Sequence, residues 1–401
     1  MIGKEASVII PAEFISPNTN STGEYFFHIA DELLRRGVGV SLVVPESEDN
    51  QNAFAQLQAD WGTKVSADFV TSNSFTHGAN FRKALSSLII TAKLWWVTRK
   101  KHTAETTVFF GTNPTFLVLF LAFFLPTKKF RKVLLCYDLF PENLIAVSNN
   151  IAYRCLGRLV KPLFELAYRR LSRVLVIGRC MNDKVLEWGV EAEKVGVVYN
   201  WADENEIFPL QPKPEPNEVT FQFFGNIGPL QGIDFILNSF QYVESTKATF
   251  TFFGRGAYVD KIKQFIDTND SKVNVRFCGS VEKDKRNEVL NNCDVAIVSL
   301  DARLTGLGVP SKTYYSLAVG KPILVVADAE SEPARLVIEE SLGWWGCPKD
   351  PVALALTIDK ICADWPTKPA PSVIRNTFMD RFSRAKGTAA ICDEILNQDV
   401  L

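Results

Sequence analysis

The sequence predicts an α/β protein made of two doubly wound domains, and three observations point there. Short apolar, β-branched runs alternate with segments of helical periodicity. The alternation breaks once, near the middle, across a proline-rich stretch, and glycine-bearing loops follow several of the apolar runs.

The first run, Ser7 to Pro11, reads as a strand followed by a polar loop with Pro17 and Gly23. A helix follows, in which Tyr25, Phe26, Ile29, Ala30, Leu33 and Leu34 share one face. Ser21 and Glu24 have capping-box spacing, and Gly37 sits where a left-handed stop is expected. A second strand runs from Val38 to Val44, completing a βαβ unit of the kind a parallel sheet requires. Further strands are expected at Thr107 to Phe110, Val133 to Cys136, Val174 to Ile177 and Val195 to Tyr199. From Asp203 to Thr220 charged residues and Pro209, Pro212, Pro214 and Pro216 replace the pattern, as in an interdomain linker. Strands resume at Thr220 to Phe224, Thr249 to Phe253, Asn274 to Cys278, Val295 to Leu300 and Ile323 to Val326. After Pro366 and Pro371 an amphipathic stretch, about Val373 to Leu396, is expected to be one helix.

Composition bounds the function. The 401 residues, 47% hydrophobic and 22% charged, suit two globular domains and exclude a disordered or collagen-like chain. With 44 Lys plus Arg against 45 Asp plus Glu, no global field attracts nucleic acid, so an anion site must be local. The 8 cysteines form no C-x-x-C pair, which argues against zinc and against a disulfide scaffold and suggests reduced thiols in the cytosol. Met1 to Val8 lacks the features of an export signal. Phe116 to Leu125 is too short to cross a bilayer.

Two such domains are expected to leave a crevice at the carboxyl ends of their sheets, where ligands bind in this architecture. Three loops there suit an anion. In Gly306-Leu307-Gly308-Val309-Pro310-Ser311-Lys312, Gly308 permits close approach, Ser311 is placed to cap the next helix, and Lys312 supplies an ammonium for a diphosphate. A surface turn with a solvated lysine is the plainer alternative. The second loop runs from Gly225 to Gly232 and includes Asn226, Gly228 and Gln231. The third, Gly254-Arg255-Gly256, offers Arg255 for bidentate phosphate binding or merely makes a turn.

Taken in order, these motifs resemble the GT-B glycosyltransferases of the large retaining family four, in particular the bacterial polysaccharide branch. The carrying residues are Tyr137-Asp138-Leu139-Phe140-Pro141-Glu142, Val174 to Gly178, Tyr199 to Asp203, the 225 to 232 loop, Pro310-Ser311-Lys312 with Gly320-Lys321-Pro322, and Ser331 to Leu336. The resemblance covers nearly the whole chain. It implies two Rossmann-like domains with an interdomain cleft: an acceptor domain at 1–203, joined by 373–401 crossing back as a C-terminal helix, and a nucleotide-sugar domain at 204–372. It also implies transfer without a metal, cofactor or protein nucleophile, the departing diphosphate itself taking the acceptor proton. Lys312 and Arg255 would then stabilise developing negative charge, with the helix start at Gly23 approaching from the first domain.

Asp138 follows an apolar strand and is expected either to contact a sugar hydroxyl or assist the acceptor, or to cap the segment starting at Pro141. Glu142 is either functional or an early-turn carboxylate. Glu332 stands near the donor in this branch, or serves only the dipole of its helix. Two departures matter: Leu307 and Tyr315 occupy the places of the family's paired glutamates, and Gln231 that of a common lysine.

Trp95 and Trp96 followed by Arg99, Lys100, Lys101 and His102 suggest a helix on an anionic membrane surface at its cytoplasmic face, or else a core helix with a basic end. His28, His77 and His102 lack metal-ligand spacing, and Trp201 is expected to pack at the hinge. The expected function is transfer from a nucleotide-sugar, a UDP-sugar first, to a lipid-linked or oligosaccharide acceptor in cell-surface polysaccharide synthesis. A nucleotide-sugar epimerase and a non-catalytic nucleotide-sugar or membrane-binding module are the alternatives.

Overall fold

The computed structural model describes residues 7–17, 20–71, 80–101, 106–148, 150–211, 218–268 and 272–397. Their contacts divide the chain into two units, the first drawn from Met1–Ile177, Met181–Val198 and Thr388–Leu401, the second from Gly178–Cys180 and Tyr199–Gly387. His77, His102, Pro212, Pro214 and Pro216 lie outside the described residues.

The first unit contains β1 (Ser7–Pro11), α1 (Ser21–Arg35), β2 (Gly39–Pro45), α2 (Glu48–Trp61), β3 (Val65–Val70), α3 (Asn80–Lys100), β4 (Thr106–Gly111), α4 (Leu117–Phe124), β5 (Phe130–Cys136), α5 (Glu142–Val147), α6 (Ile151–Arg169), β6 (Arg173–Val176), β7 (Val195–Val197) and, from Met181 on, α7 (Arg179–Glu187). The strands are parallel, in the order β3-β2-β1-β4-β5-β6-β7. The expected apolar face of α1 is buried, and Gly37 (φ 82°) closes the helix as a left-handed residue. Its start differs from the expected capping box. Asn20 caps it, accepting a 2.8 Å bond from the Gly23 amide, because Ser21 is already inside the first turn.

The second unit contains β8 (Val219–Asn226), α8 (Ile233–Ser239), β9 (Ala248–Arg255), α9 (Val259–Thr268), β10 (Asn274–Gly279), α10 (Arg286–Asn291), β11 (Val295–Ser299), α11 (Lys312–Ala318), β12 (Ile323–Val326), α12 (Glu332–Glu340), β13 (Gly343–Gly346), α13 (Pro351–Ala363), α14 (Pro371–Arg381) and the start of α15 (Arg384–Leu396). Its parallel sheet has the order β10-β9-β8-β11-β12-β13. The central strands carry one pattern twice, Thr-Phe-Gln-Phe-Phe-Gly from 220 and Thr-Phe-Thr-Phe-Phe-Gly from 249, and pair in register. Phe221 therefore stacks on Phe250 at 5.0 Å and Phe223 on Phe252 at 5.9 Å. All four are fully buried. Burying each such ring stabilises the unit by roughly 1.5–3 kcal/mol.

Three expectations are corrected. The linker beginning at Asp203 is not free chain, since Ile207 is buried and the amides of Phe208 and Leu210 donate to Asn287 and Asn291 of α10. The stretch expected as one helix is two, α14 and α15. Ser383 interrupts them by bridging to Ala202, with the Arg384 amide donating to the Ala202 carbonyl at 3.1 Å. Residues 373–387 consequently pack with the second unit, where Arg375 holds the carbonyls of Ile207 and Ala318. From Thr388 onward the chain belongs to the first unit, with Arg131 donating to the Glu394 and Ile395 carbonyls. The second unit thus spans 199–387 rather than 204–372. Trp201 is buried at its edge, against Gly387, where an added Cβ would lie 2.4 Å from the indole.

Candidate active site

In a sheet of this order the loops after the first and fourth strands diverge, which makes that point the place for a ligand. In the second unit these are the loops after β8 and β11. They are tied together: Ser299 Oγ donates to the Gln231 carbonyl at 2.6 Å, and the Asp301 amide to that of Leu230 at 2.9 Å. A cavity of about 570 Å³ opens over the carboxyl ends of β8, β9 and β10, lined by Gly225, Asn226, Gly254, Arg255, Ser280 and Glu282 among others. That size is suited to a nucleotide-sized ligand.

Glycine is needed where the two loops meet. A Cβ on Gly254 (φ 144°) would lie 1.7 Å from the Gly225 carbonyl oxygen, and one on Gly256 2.2 Å from that of Ile227. The Ile227 amide donates to the Arg255 carbonyl at 2.9 Å and the Tyr258 amide to that of Ile227 at 3.0 Å. The cavity wall here is consequently backbone, with exposed Arg255 as its cation.

Lys312 opens α11 with a half-buried stem and a buried ammonium. Its Nζ sits 3.7 Å from the centroid of the Phe223 ring and has no hydrogen-bond partner among the described residues. Loss of hydration pulls its pKa down to about 7. The ring face partly replaces water around the cation. Two expectations nearby are corrected. Ser311 makes no capping bond, because its own backbone is already helical. The Gly228 amide is not free for an anion, because Gln231 Oε1 accepts it at 3.2 Å. Gly308 is half-buried in the loop before Ser311.

Glu332 is completely buried and held by Arg179. Its Oε2 accepts the Arg179 amide at 2.6 Å and its Oε1 the guanidinium Nε at 3.1 Å, while Arg179 Nη1 reaches Glu339 at 2.6 Å. A carboxylate so engaged fixes the start of α12. Both carboxylate oxygens of Glu332 are thus engaged by Arg179.

In the first unit, Asp138 is exposed just beyond the carboxyl end of β5, and crowding by protein around its carboxyl raises its pKa. It does not cap α5, whose N-cap is Pro141 without a side-chain bond. Glu142 is buried against Lys161, and Trp188 Nε1 donates to it at 3.2 Å, so it is structural. Gly23 is packed under the loop after β1, where a Cβ would lie 2.4 Å from the Ser16 carbonyl. Its amide already serves Asn20.

Of the expected surface set on α3, Trp96, Arg99 and Lys100 are exposed. Trp95 instead packs on Phe120 and Phe124 with ring centroids 5.9 and 6.1 Å away, and its indole N–H is buried. Lys101 is paired with Asp68 and donates to Ser41.

Residues 218–364 match the family described as Glycosyl transferases group 1. Over 370 residues the chain is 34% identical to a Pseudomonas aeruginosa protein described as a probable glycosyltransferase, WbjE, covering 89% of this chain and 90% of the relative. The chain belongs to the group 1 glycosyltransferases. The Anabaena protein HepE, solved with UDP, superposes at a TM-score of 0.69 with 14% identity, covering 97% of this chain and 99% of that one. WaaG, a glycosyltransferase involved in lipopolysaccharide biosynthesis, does so at 0.67 with 11% identity, covering 98% and 100%. At these identities the likeness establishes the GT-B fold.

Several residues at the strand ends of each unit were not among those expected. Phe223 under the Lys312 ammonium was readable only as core. Ser280 and Glu282 follow β10, and their position after a third strand of the same sheet was the available signal. Glu13 and Asn113, beyond β1 and β4, escaped notice because each stands alone in sequence. Burial raises the Glu13 pKa, and its hydrogen bond with Asn113 opposes that shift. Among the described residues no three or more His, Cys, Asp or Glu side chains are grouped to hold a metal.

Proposed function

We propose that this glycosyltransferase transfers a sugar from a nucleotide-sugar, a UDP-sugar first, to a lipid-linked or oligosaccharide acceptor in cytoplasmic steps of cell-surface polysaccharide synthesis. The carrying observation is the buried Lys312 ammonium, which has no hydrogen-bond partner among the described residues, on the helix that follows the switch-point loop of a unit whose strand ends also carry a backbone-walled cavity. A desolvated cation without an internal counterion is matched by a ligand that brings its own negative charge. HepE was solved with UDP and with UDP-glucose, which supports the choice of donor.

In this reading Lys312 and Arg255 face the diphosphate, and Asp138 contacts the sugar or the acceptor. The bond from the anomeric carbon to the diphosphate oxygen breaks as the acceptor oxygen forms its bond on the same face. The acceptor proton passes to the departing diphosphate, so anomeric configuration is retained and neither a metal nor a protein nucleophile enters. Leu307, which is buried, and Tyr315, whose ring lies 5.4 Å from the Arg286 guanidinium, replace the family's glutamates and leave the ribose to other groups.

The test is turnover of UDP-, GDP- and ADP-sugars with a panel of lipid-linked and oligosaccharide acceptors, with and without chelator, the anomeric configuration being read by NMR. Retained configuration, chelator insensitivity and loss of turnover in Lys312→Ala are expected. An altered donor in the absence of acceptor would identify an epimerase instead. Binding without turnover would identify a non-catalytic module.

A further inference from the structure

The sheet of the first unit has a switch point of its own, and a carboxyl–amide pair stands on it. The chain winds outward from β1 on one side and from β4 on the other, so the loops after these two adjacent strands part there. Glu13 and Asn113 each follow their strand by two residues. The β1–β4 register, Ile9 opposite Val108, carried forward sets Glu13 level with Thr112 and next to Asn113. Both residues are half-buried, and their side chains are hydrogen-bonded to one another.

A buried side chain fixes the backbone that carries Glu13. Asn50 of α2 is 1% exposed; its Oδ1 accepts the Ile15 amide at 3.1 Å, and its Nδ2 donates to the carbonyls of Glu13 at 3.2 Å and Pro45 at 3.0 Å. One amide group thus clamps the chain on both sides of Phe14 and ties it to the end of β2. A carboxyl group on so fixed a loop is oriented before any ligand arrives, which lowers the cost of selective binding.

Charge at this edge has one sign. The segments 12–20, 46–47, 112–116 and 137–141, which follow β1, β2, β4 and β5, contain Glu13, Glu46 and Asp138 and neither Lys nor Arg. The start of α1 is no rival site for a phosphate, since its Gly23 amide serves Asn20 and Glu24 stands in its first turn. A phosphate placed here would meet carboxylates without a counterion. Neutral hydroxyls suit the pair better: a carboxylate accepts strong hydrogen bonds from O–H groups, and the Asn113 amide donates to a sugar oxygen. Tyr137 adds a separate sign of a ligand. From the end of β5 its ring stacks on Tyr25 of α1 at 5.7 Å, across the end of β4, where Phe26 of the same helix lies over Gly111. Its hydroxyl is buried and has no hydrogen-bond partner among the described residues, so polar capacity is left over at the switch point.

We infer that Glu13 and Asn113 bind hydroxyls of the acceptor's terminal sugar, so that the enzyme extends a glycan already begun and does not charge a bare lipid phosphate. This rests on the nucleotide-sugar transfer proposed for the chain and names its acceptor class. The hydroxyls held by the pair are neighbours of the reacting one, whose oxygen gains the anomeric carbon and whose proton leaves with the diphosphate. A reaction that joins a first sugar to the carrier must precede this one.

The experiment gives the full chain UDP-, GDP- and ADP-sugars with two acceptor sets. One holds octyl glycosides and lipid-diphosphate monosaccharides; the other is undecaprenyl phosphate carrying no sugar. Transfer to a member of the first set and none to the second is expected. Glu13→Gln and Asn113→Ala should each raise the acceptor KM about tenfold or more, leaving the donor KM within about twofold and the melting curve unchanged. Deoxy analogues of the accepted glycoside separate contact from a merely structural role. One analogue should cost the wild type as much as Glu13→Gln does, and on it Glu13→Gln should lose nothing further. Transfer to undecaprenyl phosphate, or an unchanged acceptor KM in Glu13→Gln, overturns the inference and leaves the transferase standing. Absence of transfer to either set overturns the transferase reading and the inference with it.

Discussion

The ammonium of Lys312 rests 3.7 Å from the centre of the Phe223 ring, and that ring belongs to the first strand of the sheet whose loops line the cavity of the second unit. Desolvation holds the free-enzyme pKa of Lys312 near 7, well under that of a lysine in water. A diphosphate brought beside it favours the charged form and moves the pKa back up. Above pH 7 nucleotide binding is therefore expected to take up a proton, up to about one at pH 8. Calorimetry of UDP binding in buffers of different ionisation enthalpy reads this directly. Lys312→Met should abolish the uptake and weaken UDP by about tenfold or more; uptake unchanged in that variant would place the ammonium away from the nucleotide.

The meeting of the β8 and β9 loops makes two glycines unequal. Gly254→Ala forces a Cβ to within 1.7 Å of the Gly225 oxygen at a φ of 144°, and unfolding in urea should show a loss of at least about 3 kcal/mol or no soluble protein. Gly232→Ala also has a positive φ, 58°, but meets nothing within 4 Å. Its cost should be only about 1–2 kcal/mol. Equal costs would mean that the close approach of the loops relaxes without penalty.

How far the chain could be read in advance depends on the reach of each signal. Alternation and helical periodicity are local, so the strand from Ile323 to Val326 has the expected bounds and the apolar face of α1 is the buried one. Short or mixed strands lack that signal: β3 is Val-Ser-Ala-Asp-Phe-Val, and β13 is two tryptophans between glycines. Loop glycines were legible because a backbone constraint selects one residue type. Partners were not. Glu332 looked free for a ligand because Arg179 is 153 positions away, and Trp95 looked like a surface anchor because Phe120 and Phe124 come from another helix. Asp138 was singled out because it lies two residues past an apolar strand that ends at Cys136.

The pairing of Arg179 with Glu332 predicts a structural rather than a donor-binding phenotype. Glu332 is fully buried and Arg179 about one-third exposed, so Glu332→Ala leaves a cation facing a cavity and three lost hydrogen bonds. Its expected cost is about 3 kcal/mol in chemical unfolding. UDP affinity should fall no more than about threefold while the protein stays folded. A stable Glu332→Ala protein with sharply weakened UDP binding would return Glu332 to the donor site.

Lys132 offers a pH test within the first unit. It is fully buried on β5, and its ammonium reaches the carbonyls of Ala122 and Leu125 at 3.4 Å and Thr127 Oγ1 at 3.2 Å, closing the end of α4. Burial, with Arg170 nearby as a second cause, lowers its pKa to about 8. Because the folded value lies below the unfolded one, the unfolded chain holds this proton more tightly between about pH 8 and 10.5, and stability contributed by this group rises with pH across that window. Lys132→Met removes the proton-linked part and leaves two carbonyls without a donor. It should flatten the rise in urea midpoint between pH 8 and 10 relative to the wild type, at a cost of about 1–3 kcal/mol at pH 8. A variant whose midpoint still climbs in parallel with the wild type would show that Lys132 keeps its full charge inside the fold.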